Sequence, residues 1–286
     1  MKKEIKSVHS SDGLQIYADS NGNVGKAAIV FIHGFRLSGA CFDRVFEDEV
    51  FSSKFHLVRY DLRGQGRSGQ PENAEGHVSK LYADDFAAVC DAFGVKKPYT
   101  VGWSYGCTVL ADLATYLPYD YLSGSIFLCG PPWLVLKHPE IVVTTLLPVI
   151  PHLVSEATPA DEANAACWAF TNMLFSQPET VPVETKWLWR GMMGSAPTKS
   201  YRMALERESS TEKLYAMGKR GYPLRYIIGL EEQVFDGRVL VELVRKEFTN
   251  FSVLEIEGGG HSVFHQNTRE VVDSITEFVN NNKWTG

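Results

Sequence analysis

The spacing of apolar and polar positions changes twice along the chain. In the first part, short runs rich in β-branched and aromatic residues alternate with longer stretches at helical spacing. Residues 4–8 and 14–18 flank Ser10-Ser11-Asp12-Gly13, a turn sequence, and predict an antiparallel pair of strands. The continuous apolar run 27–32 predicts a strand buried on both faces, as in a parallel sheet. Residues 55–60, 99–103 and 123–129 predict three more strands. Between them, Leu81, Phe86, Val89 and Phe93 recur at helical spacing within 78–93, which stops at Gly94, and 105–117 reads as a second helix. Strands separated by helices predict βαβ units and a mostly parallel sheet.

The rhythm breaks at Pro131. From 131 to 218 only helical stretches appear, divided by proline and glycine: 140–147, 160–175, 183–193 and 199–217. Alternation then resumes with a strand at 224–228, a helix at 236–247, a strand at 251–256 and a helix at 268–280. The predicted organisation is an α/β core formed by 1–130 and 219–286, with a helical unit, 131–218, inserted after the sixth strand.

Composition narrows the classes. The chain has 286 residues, 44% hydrophobic and 22% charged, which excludes a disordered chain, a collagen-like fibre and a coiled coil. A net charge of −6 gives no basic footprint for nucleic acid. The greasiest stretch, 141–150, contains Pro148 and falls short of the ~20 residues needed to span a bilayer. The charged Met1–Lys6 segment lacks the apolar stretch of a secretion signal. Five cysteines without paired spacing read as reduced and buried, so a cytoplasmic protein is expected. No HExxH, CxxC or closely spaced His/Asp cluster is present, so neither metal nor cofactor is expected.

Candidate chemistry begins at Gly102-Trp103-Ser104-Tyr105-Gly106, a G-x-S-x-G between a buried strand and a helix. A sharp turn there crowds the backbone, which is why small residues flank the serine at both sides. The turn would hold the Ser104 hydroxyl above the sheet at a helix N-terminus, where developing negative charge is favoured. His33-Gly34-Phe35 follows the first buried strand, and its loop would bring the Phe35 N–H to face the serine. With the N–H of Tyr105 it would form an oxyanion hole, leaving His33 to brace the loop. Gly64-Gln65-Gly66-Arg67-Ser68-Gly69 matches G-x-G-x-x-G, but a loop, not a helix, follows it. A dinucleotide fingerprint must open a helix, so this run reads as a structural loop. A serine nucleophile needs a base. His261, in Gly258-Gly259-Gly260-His261-Ser262 just past the last strand, is placed to return over the sheet. An orienting acid should follow strand 224–228, where Glu231, Glu232 and Asp236 are all available.

Taken together, His33-Gly34, Asp61-x-Arg63-Gly64-x-Gly66-x-Ser68, Gly102-x-Ser104-x-Gly106 and Gly260-His261 resemble the α/β-hydrolase superfamily over nearly the whole chain. The resemblance implies an α/β-hydrolase fold with a mostly parallel central sheet flanked by helices. It also implies that 131–218 forms a helical cap over the active site. In that family the acid usually stands third after a strand-ending glycine. Counting from Gly229 gives Glu232, ahead of Glu231 and Asp236, although aspartate is commoner there. Serine at 104 is unlike the aspartate of epoxide hydrolases and haloalkane dehalogenases, and His33-Gly34-Phe35-Arg36 is unlike proline iminopeptidases. Small esterases, lactonases and thioesterases with a helical lid are most similar.

Tryptophan is concentrated in the inserted unit, with Trp133, Trp168, Trp187 and Trp189 among the six of the chain. Such a cap suits a hydrophobic acyl or ring-bearing substrate, with Trp103, Trp133, Trp168 and Trp187 as candidate contacts. Helical units also need a core of their own, and aromatics at helical spacing more often supply that. The expected function is serine-dependent hydrolysis of a small, hydrophobic carboxylic ester, lactone or thioester through Ser104, His261 and Glu232. A cofactor-free perhydrolase or haloperoxidase, a C–C hydrolase, a hydroxynitrile lyase or a small-ligand receptor would reuse the same site. Oligomeric state is left open.

Overall fold

The computed structural model describes residues 3–135, 138, 141–284 and 286. Its strands are β1 (Glu4–His9), β2 (Gln15–Gly22), β3 (Ala28–Ile32), β4 (His56–Tyr60), β5 (Tyr99–Trp103), β6 (Gly124–Leu128), β7 (Leu224–Gly229) and β8 (Phe251–Ile256). One sheet holds them in the order β1-β2-β4-β3-β5-β6-β7-β8. The first two pairings, β1 with β2 and β2 with β4, are antiparallel, and all others are parallel. Every residue of β3, β4, β5 and β6 is buried, as expected where helices cover both faces, and in β3 this shows as a continuous apolar run. Strand β3 lies between β4 and β5, so the chain winds away in opposite directions from the carboxyl ends of β3 and β5. That reversal opens the crevice in which α/β sheets place their ligands.

Helices α1 (Asp43–Phe46), α2 (Glu49–Lys54), α3 (Ser79–Ala92) and α4 (Tyr105–Tyr116) belong to the first half of the sheet. Between β6 and β7 come α5 (Ile150–Val154), α6 (Ala160–Met173), α7 (Val183–Met193), α8 (Thr198–Glu206) and α9 (Glu212–Lys219). Helices α10 (Gly237–Arg245), α11 (Val263–Gln266) and α12 (Thr268–Asn281) complete the chain. In the inserted segment α6 packs on α5 and α7, and α5 on α8, whereas α9 packs on α4. Among the described residues, no helix is long and apolar enough to cross a membrane. All five cysteines are buried and unpaired.

Two expected helices differ. Glu140, the expected start of helix 140–147, lies outside the described residues. From there, Val142 bridges Phe235 and residues 144–149 are turns. Val142, Val143, Thr144 and Thr145 are β-branched and poor helix formers, and Pro148 lacks the amide that a helix needs. The helix starts later, at Ile150, with proline in its first turn, where the missing N–H is harmless. The single helix expected over 199–217 is divided into α8 and α9. Arg207 takes an extended ψ of 150° and turns its side chain inward to Asp112 at 2.7 Å. Ser210 then accepts the Glu212 amide at 3.3 Å, the local bonding that lets serine compete with a helix.

The run 61–69 is a loop, as its sequence suggests. Asp61, fully buried, accepts the amides of Gly39 and Arg67, each at 2.8 Å. Arg63 forks onto Asp85 at 2.7 and 2.8 Å and reaches Asp12 at 3.0 Å. These bonds tie the carboxyl edge of the sheet to α3 and to the β1–β2 turn.

Candidate active site

Ser104 follows β5 and precedes α4 with φ 53° and ψ −121°, a conformation L-residues rarely adopt. Its neighbours explain how the strain is kept. A side chain at Gly106 would collide with the backbone of Ile32, and one at Gly102 would lie 2.9 Å from the Gly106 carbonyl. Gly130, after β6, packs directly on the Ser104 backbone, and Ser104 N–H donates to Leu128 O at 2.9 Å. The elbow is therefore held by strands on both sides. Tyr105 is the first residue of α4, so its N–H has no partner within the helix.

His33 is completely buried. Its Nε2 accepts the Leu62 amide at 2.9 Å, so Nδ1 carries the proton and faces Gly34 O at 2.8 Å. Burial holds its pKa down, with Asp61 opposing. With both ring nitrogens engaged, His33 braces the loop and cannot serve as a base. Gly34 lets the loop approach: a Cβ there would sit 2.9 Å from the Trp103 ring and 3.3 Å from Ser104 Cβ. Among the described residues, no acceptor takes the Phe35 N–H. Arg36 turns the chain with φ 60° and donates its N–H to Gln65 Oε1 at 2.8 Å.

The three glycines before His261 have separate duties. Gly258 takes a left-handed φ of 69°, Gly259 packs on Gly229, and Gly260 leaves no room for a side chain beside Phe175 and Ser176. They deliver a fully buried His261 whose Nδ1 meets Glu232 Oε2 at 2.8 Å. Among the described residues, the buried Nε2 of His261 has no hydrogen-bond partner. The carbonyl of the same residue accepts Trp103 Nε1 at 2.8 Å, fastening the histidine to the residue before the serine. Glu231 is exposed, and Asp236 caps α10 by accepting the Val239 amide at 3.0 Å. Of the three carboxylates following β7, Glu232 is the one that meets the imidazole.

Ser104 opens into a cavity of about 580 Å³, including its mouth. Phe35, Tyr105 and Thr108 line it from the first half of the chain, Trp133, Ile150, Leu153, Phe170 and Leu205 from the segment between β6 and β7, and Val234 and Phe235 from the loop after β7. Thr108 spends its hydroxyl proton on Tyr105 O at 2.8 Å, so the walls are almost wholly apolar around the serine. Of the four tryptophans expected at the substrate, Trp133 alone lines this cavity. Trp103 is buried beneath it, its ring 5.4 Å from His261 and 5.7 Å from Trp189. Trp168 lies off the cavity while Phe170, two positions on, lines it, because residues two apart on a helix face different ways. Trp187 is 58% exposed for the same reason, and its neighbour Trp189 is the one turned inward. Leu146, Leu153, Leu205, Val234 and Phe235 carry no sequence signal beyond being apolar. Of the wall residues not named as contacts from the sequence, Phe170 carries the clearest signal, an aromatic at helical spacing in α6. Among the described residues, no cluster of three or more His, Cys, Asp or Glu could hold a metal ion.

Residues 29–274 match the family described as the alpha/beta hydrolase family. A bifunctional esterase/perhydrolase of Acinetobacter calcoaceticus is 28% identical over 250 residues, covering 83% of this chain and 87% of that protein. Among solved structures, an esterase from Rhodococcus sp. ECU1013 aligns with a TM-score of 0.85 at 24% identity, over 97% of this chain and 98% of that one. A bromoperoxidase from Bacillus anthracis aligns with a TM-score of 0.79 at 20% identity, over 98% of this chain and all of that one, 100%. At these identities the two superpositions speak for a shared fold.

Proposed function

The chain belongs to the α/β-hydrolase family, and from that premise we propose that it is a serine-dependent carboxylic ester hydrolase acting on a small hydrophobic ester, lactone or thioester. The observation that carries this reading is the state of His261. Its Nδ1 is held by Glu232 at 2.8 Å while, among the described residues, its buried Nε2 is left without a partner. That arrangement fixes the tautomer with the lone pair on Nε2, the form that can take a serine proton. Ser104 attacks the carbonyl as its proton passes to Nε2, and the imidazolium formed is stabilised by the Glu232 carboxylate. The amides of Phe35 and Tyr105 receive the oxyanion. His261 then protonates the leaving alcohol or thiol, and water activated by the same nitrogen releases the acid.

The apolar walls support a hydrophobic acyl or aryl group, since they offer such a group nothing but dispersion contacts and exclusion of water. Segment 131–218 acts as the lid, with α5, α6 and α8 over the cavity and α9 anchored on α4. A cytoplasmic location completes the proposal. Ser104→Ala tests it: turnover of p-nitrophenyl butyrate and covalent labelling by a fluorophosphonate should both disappear while the circular dichroism spectrum is retained. Turnover that persists in the variant would sink the assignment.

The relative from Acinetobacter, an esterase/perhydrolase, favours a second activity at the same residues. Hydrogen peroxide in place of water would attack the acyl-Ser104 carbonyl, giving a peracid and free serine. Peracid formed from an ester and peroxide by the purified protein separates the two.

A further inference from the structure

Arg36 is 6% exposed, and among the described residues no carboxylate pairs with it. A buried cation without a counter-ion is costly unless other groups replace water around it. Here the replacements come from the lid. One guanidinium nitrogen, Nη1, donates to Leu153 O in the last turn of α5, and Nη2 donates to Met193 O, the final residue of α7, at 2.8 Å. Carbonyls at the end of a helix lack intrahelical partners and attract cations, so Arg36 serves two such ends at once. The guanidinium also lies 4.1 Å from the centre of the Tyr201 ring on α8.

The same tyrosine also meets the residue before Arg36, with the Phe35 ring 5.6 Å away and edge-on. Arg36 holds a left-handed φ of 60°, and its own amide is fixed by Gln65. Its backbone therefore cannot shift without moving Phe35, whose N–H has no acceptor among the described residues. Three helices of the lid thus converge on the side chain adjoining a proposed oxyanion donor.

We propose that Arg36 is a positioning residue that transmits the seating of α5, α7 and α8 to the Phe35 amide, so that the oxyanion site is complete only with the lid docked. This rests on the serine hydrolase reading above. Losing an oxyanion donor outright slows catalysis about 10²- to 10³-fold, so misplacing one should slow it roughly 10- to 100-fold.

The test compares Arg36→Met, Arg36→Lys and Ser195→Ala. Ser195 makes a separate bond between the same end of α7 and the core, accepting the Gly66 amide at 3.1 Å. For each protein, the fluorophosphonate labelling rate, kcat and KM for p-nitrophenyl butyrate, and Tm are measured. Expected is a fall in labelling rate and kcat of about tenfold or more for Arg36→Met, with KM little changed. Arg36→Lys should recover part of it, and Ser195→Ala should keep the wild-type kcat. Wild-type labelling and kcat in Arg36→Met would overturn the proposal, as would an equal kcat loss in Ser195→Ala. Should Arg36→Met fail to fold, the kcat of Arg36→Lys relative to Ser195→Ala decides by the same criterion. Failure of the wild type itself to label would instead reject the serine hydrolase reading.

Discussion

Glu232 divides its carboxylate between two tasks. Oε1 accepts the Val234 amide at 2.7 Å and Oε2 faces His261 Nδ1 at 2.8 Å, so the backbone bond aims the group that holds the imidazole. Replacing it by glutamine preserves shape but removes the charge that stabilises an imidazolium. Glu232→Gln is expected to lower kcat for a p-nitrophenyl ester by ~10²- to 10⁴-fold, whereas exposed Glu231→Gln should stay within about twofold of wild type. Comparable activity in the two variants would remove Glu232 from the mechanism. Ser104, His261 and the glycines around them were legible in the sequence because crowding at a turn restricts which residues can stand there. The choice among Glu231, Glu232 and Asp236 was not settled by the residues themselves. A solvent-facing carboxylate, a helix cap and a histidine partner look alike until their directions are known.

At the scale of elements, the long ones were read to within a residue or so. Helices α3, α4, α6, α7 and α12 each present a sustained apolar face, and β3 to β6 are fully buried strands rich in β-branched, aromatic and leucine residues. The short helices α1, α2, α5 and α11 escaped notice, since one turn carries too little periodicity to register. Those short pieces matter, because α5 supplies Ile150 and Leu153 to the cavity wall. Helix α6 supplies Phe170, whose ring lines the cavity together with Thr108 and Leu205. Phe170→Ala should therefore raise kcat/KM for p-nitrophenyl octanoate relative to butyrate by roughly tenfold or more, by opening length for the acyl chain. An unchanged ratio in a chain-length series would place the acyl group elsewhere. Its stability cost should fall below the ~3–5 kcal/mol of a fully enclosed phenylalanine, because one side of the ring already faces open space.

Across the whole molecule, neutral histidines sit where residues of the helical segment between β6 and β7 meet the rest of the chain. His77 lies between Tyr82 Oη at 3.0 Å and Ser200 Oγ at 3.3 Å, joining α3 to α8. Burial lowers its pKa to about 4, helped by Arg63 and Arg207, and burial with Arg44 lowers that of His265 to about 4 as well. In the unfolded chain both titrate near 6.5, so as pH falls below that value the unfolded state binds protons that the native state refuses. Their contribution is complete above about 6.5 and is lost progressively towards 4. Tm should drop measurably between pH 7 and pH 5, and His77→Gln should flatten that slope; a level Tm across the interval would contradict it. The sequence by itself determined the fold class, the run of helices between β6 and β7, and the turns that carry Ser104 and His261. Periodicity and steric crowding are local, and they are written in neighbouring residues. Tertiary structure alone decided which carboxylate meets His261, which aromatics face the cavity, and that Arg36 reaches Leu153 and Met193, positions 117 and 157 residues away. Those outcomes depend on where side chains from distant segments point once the sheet has gathered them, and spacing along the chain carries no record of that direction.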